Sequence, residues 1–149
     1  MIEPVNEQNI DIAAAIHSES WMESHRAFCA PDFVELHSQE HQKEYLLEKM
    51  KAGTLLYMLF DEASGKNVGI VSVTENLIED LYILPAEQNK GYGTKLLRFA
   101  CSKCPGKPTL WILENNLNAA RLYQREGFSL TGRRNNIDKG LDEIEFIKE

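Results

Sequence analysis

The feature that most constrains this chain is a junction. The apolar run LIEDLYILP, from Leu77, stops at Pro85, and EQNKGYGTKLL, Glu87 to Leu97, then places two glycines one residue apart at the mouth of a helix. Proline cannot donate to a strand ladder, so it ends the run. Beyond the glycines, Leu96, Leu97, Ala100 and Cys101 recur at i, i+1, i+4 and i+5 until CPGKP breaks the period. A strand that turns through glycine into a helix aims several unpaired backbone N–H groups at one point, and the helix dipole adds positive potential there. Such a point is an anion site, most often for phosphate. Gly91 and Gly93 leave room where a Cβ would collide with a ligand, and Lys90 and Lys95 add formal charge.

The rest of the chain supplies the layers around that junction. Asp11 caps a helix whose Ile12, Ala13 and Ile16 share a face, running to about Ser24. After the break at Ala30-Pro31-Asp32, a second helix is expected over about 38 to 52, with Tyr45, Leu46 and Met50 inward and Gly53 as its stop. TLLYMLF, DEASGK and NVGIVSV then read as strand, turn, strand, ahead of the strand from Leu77. TLWIL is a further strand, a helix follows from about Asn116 to Glu126 with Gly127 as its cap, and two strands lie near 128 to 135 and 142 to 148. The order ααβββαβαββ is that of an α/β or α+β domain, with helices packed on a mixed sheet. At 149 residues, without repeats or a linker, one domain over 1–149 is expected.

Charge narrows the partners. A formal net charge of −7 argues against nucleic acid or an anionic membrane surface. No apolar run reaches the roughly 20 residues that span a bilayer, and MIEPVNEQNIDI is acidic where a signal peptide would be basic. With Cys29, Cys101 and Cys104 too few for a disulfide framework, the expected compartment is the cytoplasm. CSKC lacks a second ligand pair, and Cys101 falls on an apolar helix face, so a small core hydrophobe is the reading. The acids crowd residues 1 to 50, whereas residues 88 to 113 hold Lys90, Lys95, Arg98, Lys103 and Lys107 and no acid. The basic segment of this acidic chain contains the glycines.

Three phosphate-binding patterns compete for the loop. GxGxxG fails because its third glycine position is Leu96, and GxxxxGK[ST] fails because the glycines are only two apart and Thr94 precedes Lys95. Gln-x-x-Gly-x-Gly remains, as Gln88, Asn89, Lys90, Gly91, Tyr92 and Gly93. Here the chain resembles the GNAT superfamily of N-acyltransferases, which binds acetyl-coenzyme A through an Arg/Gln-x-x-Gly-x-Gly/Ala loop after the fourth strand. NLNAARLYQREGF adds a second likeness, to the family's N-x-x-A-x-x-x-Y-x-x-x-G-F signature, carried by Asn116, Ala119, Tyr123, Gly127 and Phe128.

The resemblance implies a mixed, mostly antiparallel sheet of about six to seven strands flanked by four helices, and acetyl transfer to a primary amine by direct attack in a ternary complex. It also implies roles. Backbone amides of Asn89, Lys90, Gly91, Gly93 and Thr94 would cradle the pyrophosphate, with Gln88, Tyr92, Ala119 and Asn116 as further motif positions near the cofactor. Main-chain groups of Leu81, Tyr82 and Ile83 would hold the pantetheine arm as an added strand would, and one N–H there would polarise the thioester carbonyl. Tyr123 stands at the general-acid position, although spacing alone makes it a packing residue of an amphipathic helix. A coenzyme A-binding domain of the same fold without turnover is the competing reading. Homodimers are common in the family.

An ammonium acceptor must lose a proton before attack. Glu79 and Asp80 lie on the strand beside the proposed oxyanion amide, and adjacent strand residues point to opposite faces. Glu79 is favoured as the base because it shares parity with Leu81 and Ile83, and polyamine acetyltransferases show a similar Glu-Asp pair. A water relay is the other route. Trp21, Met22 and His25 end the first helix, where the family builds a wall of the acceptor site, so Trp21, His25 and Glu79 are the candidate acceptor contacts. HSQEH, with His37 and His41, matches H-x-x-E-H in form but sits in an acidic helix without a third ligand, so no metal is expected. The acceptor itself is a small-molecule amine or a peptide amine; no motif chooses between them.

Overall fold

The computed structural model describes residues 1–25 and 38–149; of Ser24 and His25 it describes the backbone only. Cys29, the Ala30-Pro31-Asp32 break and His37 lie outside the described residues, as does the side chain of His25.

Strands β1 (Ile2–Pro4), β2 (Leu55–Asp61), β3 (Lys66–Thr74), β4 (Leu77–Ile83), β5 (Thr109–Leu113), β6 (Phe128–Asp138) and β7 (Leu141–Lys148) form one sheet in the order β1-β2-β3-β4-β5-β7-β6. All neighbours are antiparallel except β4 and β5. Helices α1 (Ile10–His25), α2 (Gln39–Lys51), α3 (Tyr92–Lys103) and α4 (Leu117–Arg125) cover it. The sheet thus has seven strands. The sequence pattern showed six, because three residues of IEP are too few for an alternation to be seen.

Two hydrophobic clusters lie on opposite sides of the sheet. Ile10, Ala13, Ile16 and Leu46 from α1 and α2 pack on Leu56, Met58 and Ile70. Leu96, Leu97 and Ala100 of α3 and Tyr123 of α4 pack on Leu59, Val71, Val73, Ile112 and Phe146. Strand β3 is covered on both faces and is accordingly buried almost throughout, from Val68 to Val73. Two inward assignments fail. Ile12 is 47% exposed and Tyr45 39% exposed, since α1 buries the stripe through Ala13, Ile16 and His17, and α2 the stripe through Gln42 and Leu46.

Gly69 of β3 brings the junction close to the sheet. A Cβ there would stand 2.5 Å from Ile83 Cδ1 and 2.9 Å from Leu96 Cδ1, so α3 lies as near as it does only over a bare backbone. Gly91 is the N-cap of α3 at φ +87°, a left-handed conformation that glycine adopts without penalty. Nothing would meet its Cβ within 4 Å, so the requirement is conformational. Gly91→Ala is expected to cost about 1 kcal/mol of stability, read by urea denaturation. No change would mean that the loop adopts another backbone path.

Strands β4 and β5 share a ladder of one pair, Leu77 with Thr109. Beyond it the strands part, and β4 ends at the short 3-10 turn Pro85–Glu87 and the junction into α3.

Candidate active site

The parting of β4 and β5 opens a cleft of about 1070 Å³, walled by residues 78–83 of β4, 110–113 of β5, α1, α2 and α4. The α3 N-terminus meets it at Gln88, Asn89, Tyr92 and Gly93. No side chain caps that terminus, so its leading amides are left to a ligand or to water. Gln88 Nε2 donates to the Ile83 carbonyl at 3.2 Å and ties the loop to β4. Asn89 adopts φ +64° just ahead of Gly91. Lys90 is exposed, its ammonium 3.0 Å from Glu87, a carboxylate 9% exposed that also approaches Lys66 at 3.6 Å. Its charge is therefore offset locally, which leaves the backbone amides of the uncapped terminus as the positive feature of the loop. Lys90, Gly91 and Thr94 flank the cleft without lining it.

Tyr123, 7% exposed, reaches the cleft from α4. Its ring is held edge-on to Phe128 at 5.9 Å and tilted to Phe146 at 6.2 Å. Burial pushes its hydroxyl well above the ordinary tyrosine value, so it is a neutral phenol that keeps its proton. Asn116 caps α4, its Oδ1 accepting from the Ala119 amide at 3.2 Å. That oxygen is spent on the helix, although Asn116 and Ala119 both line the cleft.

On the opposite wall, alternation along β4 breaks down. Ser72 pairs with Glu79 but Ile70 pairs with Tyr82, so β4 carries one extra residue, a β-bulge. Asp80 sits in it at φ +53°. Parity therefore does not separate the two carboxylates: Lys49 Nζ donates to Glu79 at 2.8 Å and to Asp80 at 2.9 Å. The Asp80 side chain is 7% exposed and also takes the Ser72 hydroxyl at 2.8 Å, His17 Nε2 at 2.9 Å and the Tyr45 hydroxyl at 3.2 Å. Burial alone would raise its pKa, but the His17 bond and charge and the Lys49 ammonium outweigh that and hold it well below the usual carboxylate range. A folded pKa below the unfolded value stabilises fully above about pH 4, and the contribution is lost as pH falls below it toward the folded value. Glu79, with its side chain 39% exposed, is the member of the pair that faces the open cleft.

Trp21, buried, lines the same wall, with Tyr45 and His41, and Trp111 and Glu143 face from β5 and β7. Sequence reasoning missed His17, Lys49, Ser72, Trp111 and Glu143, and placed Tyr45 in the core. His17 had one available signal. It lies four residues after Ala13 on the apolar stripe of α1, where a polar side chain needs a buried partner. Among the described residues no His, Cys, Asp and Glu cluster could hold a metal, and no helix is long and apolar enough to cross a membrane.

A parallel pair of strands that splays over an uncapped helix N-terminus, on a seven-stranded mixed sheet, is the architecture that the solved N-acetyltransferases below share. The match to known proteins is narrower. A family described as "Acetyltransferase (GNAT) domain" matches residues 52–130. Spermine/spermidine N(1)-acetyltransferase of Bacillus subtilis (strain 168) is 32% identical over 130 residues, 83% of this chain and 80% of that protein. Among solved structures, a GCN5-related N-acetyltransferase from Rhodopseudomonas palustris superposes with a TM-score of 0.77 at 20% identity, over 100% of this chain and 94% of that one. PaiA N-acetyltransferase from Thermoplasma acidophilum, solved with coenzyme A, gives 0.70 at 17% identity, over 97% and 96%. The chain belongs to the GNAT family of N-acetyltransferases, whose acyl donor is acetyl-coenzyme A.

Proposed function

We propose that the protein transfers the acetyl group of acetyl-coenzyme A to a primary amine of a small polycation, by direct attack in a ternary complex. The observation that carries this is the cleft itself, which joins an uncapped helix N-terminus, an open β4 edge, a neutral buried tyrosine and a carboxylate pair. The donor supplies an activated thioester. Amides at the start of α3 bind its pyrophosphate, with space above Gly91, and the main chain of Leu81 to Ile83 aligns the pantetheine arm and polarises the carbonyl.

Glu79 draws the ammonium into the cleft and takes its proton, directly or through a water. The freed amine attacks, and the Tyr123 hydroxyl donates to the departing sulfur. Acids at Glu79 and Glu143, with Trp21 and Tyr45 on the same cleft, suit an acceptor that is cationic and carries methylene spacers. The relationship to a spermine/spermidine acetyltransferase supports the same class.

Free-thiol release from acetyl-coenzyme A, measured against polyamines, amino acids, aminoglycosides and peptide N-termini, tests the reading. Turnover is expected with acceptors bearing two or more ammonium groups, with a KM that rises with ionic strength because the attraction is screened. A preference for uncharged or singly charged amines would overturn the acceptor class. Thermal stabilisation by acetyl-coenzyme A without thiol release on any acceptor would make the protein a coenzyme A-binding domain instead.

A further inference from the structure

Asp80 combines three properties that a proton acceptor does not need. Its backbone is left-handed, its carboxylate is almost sealed from solvent, and side chains of three different elements hold it. His17 Nε2 of α1 and Lys49 Nζ of α2 bond it at 2.9 Å, and Ser72 Oγ of β3 at 2.8 Å. The rings of Tyr45 and Tyr82 pack edge-on to His17 at centroid distances of 5.6 and 4.8 Å, fixing the imidazole in turn.

The backbone that this tether holds has a particular place. Asp80 and Leu81 together face Val71, so the bulge leaves one of them without a ladder partner on the β3 side. On the other side β4 has already left β5, their ladder being the one pair at Leu77. The main chain at residues 80–82 is therefore open to the cleft, where β4 lines it. Left-handed backbone is strained for most residues, and aspartate and asparagine tolerate it better than β-branched residues do. A bulge of this kind persists when the surroundings over-determine it.

We propose that Asp80 is a positioning residue: tied to His17, Lys49 and Ser72, it pins the bulge that presents the β4 amides to the thioester carbonyl, and it is not the group that deprotonates the acceptor. The inference rests on the acetyl-transfer reading above. It deepens that reading by dividing the carboxylate pair, Glu79 working on the acceptor and Asp80 on the backbone. Its chemistry fits the division, since a carboxylate held well below its usual range is a poor proton acceptor.

A substitution series separates positioning from proton transfer, because asparagine, glycine and valine all lack a base but differ in their tolerance of φ +53°. The expected order of kcat is Asp80→Asn, within about tenfold of the parent, then Asp80→Gly, then Asp80→Val, lower by at least about a hundredfold. The pH profile of Asp80→Asn should keep its shape. Equal loss in all three, with log kcat rising in proportion to pH, would overturn the proposal and make Asp80 the base.

Ser72→Ala covers the case in which Asp80→Val does not fold. It keeps the carboxylate and loosens the tether, so kcat should fall several-fold at unchanged acceptor KM. An unchanged kcat there would count against the proposal. Calorimetric affinities for acetyl-coenzyme A and coenzyme A supply a readout without turnover: the ratio reports the contact to the acetyl carbonyl. A ratio kept in Asp80→Asn, which retains a side-chain oxygen, and reduced in Asp80→Gly and further in Asp80→Val supports pinning, and a ratio unchanged across the series overturns it. Absence of thiol release by the parent chain on every acceptor sinks the acetyl-transfer reading separately, whatever that ratio shows.

Discussion

Tyr123→Phe is expected to lower kcat by about a hundredfold or more while changing the dissociation constant of acetyl-coenzyme A little. Proton donation by a positioned side chain contributes about 10²–10⁴-fold, and this substitution removes one oxygen and nothing else. The ring contacts to Phe128 and Phe146 survive, because phenylalanine fills the same place. Folding should therefore be intact, which a thermal scan checks, and cofactor affinity is read by calorimetry beside turnover by thiol release. The neutral phenol has a further consequence. Since burial pushes its ionisation above the working range, neither limb of the parent pH profile belongs to Tyr123, and the phenylalanine variant should keep the profile's shape at reduced height. Unreduced turnover would remove Tyr123 from the reaction and return it to the core.

Lys49→Met is expected to be the most destabilising single change near the cleft. The Lys49 ammonium, its side chain 16% exposed, bonds the Tyr45 hydroxyl at 3.0 Å as well as both carboxylates. Burial works against that charge, but Asp80 and Glu79 outweigh it and raise its pKa. Removing one partner of a buried ion pair costs about 3–5 kcal/mol, because the other charge stays behind unpaired. For a domain of this size that lowers Tm by on the order of 10 °C. Urea denaturation at pH 7 measures it, and a loss below about 1 kcal/mol would mean that water takes over the role of the lysine. Adding Glu79→Gln should recover part of the loss, since the remaining carboxylates then repel less.

The backbone of the proposed donor half was legible because the residues that shape backbone are written locally. Pro85 ending β4, Gly91 turning left-handed at the cap of α3 and Asn116 capping α4 each act within a few residues of themselves. The acceptor half was not legible in this way. His17, Tyr45, Lys49, Ser72 and Asp80 come from α1, α2, β3 and β4, up to 63 residues apart, and no local period relates them. Lys49 reads as an ordinary solvated helix lysine until α2 is docked. The parity argument for Glu79 failed for the same reason, since nothing in LIEDLYILP announces that the ladder slips at Asp80.

The sequence by itself determined the class of fold, the strand-to-helix junction with its uncapped N-terminus, and the position of the tyrosine, because hydrophobic period, proline, glycine and cap residues act at short range. Only the tertiary structure decided what surrounds the two carboxylates. Their neighbours are brought by helices from the far end of the chain, and a buried charge takes its properties from whatever is packed against it.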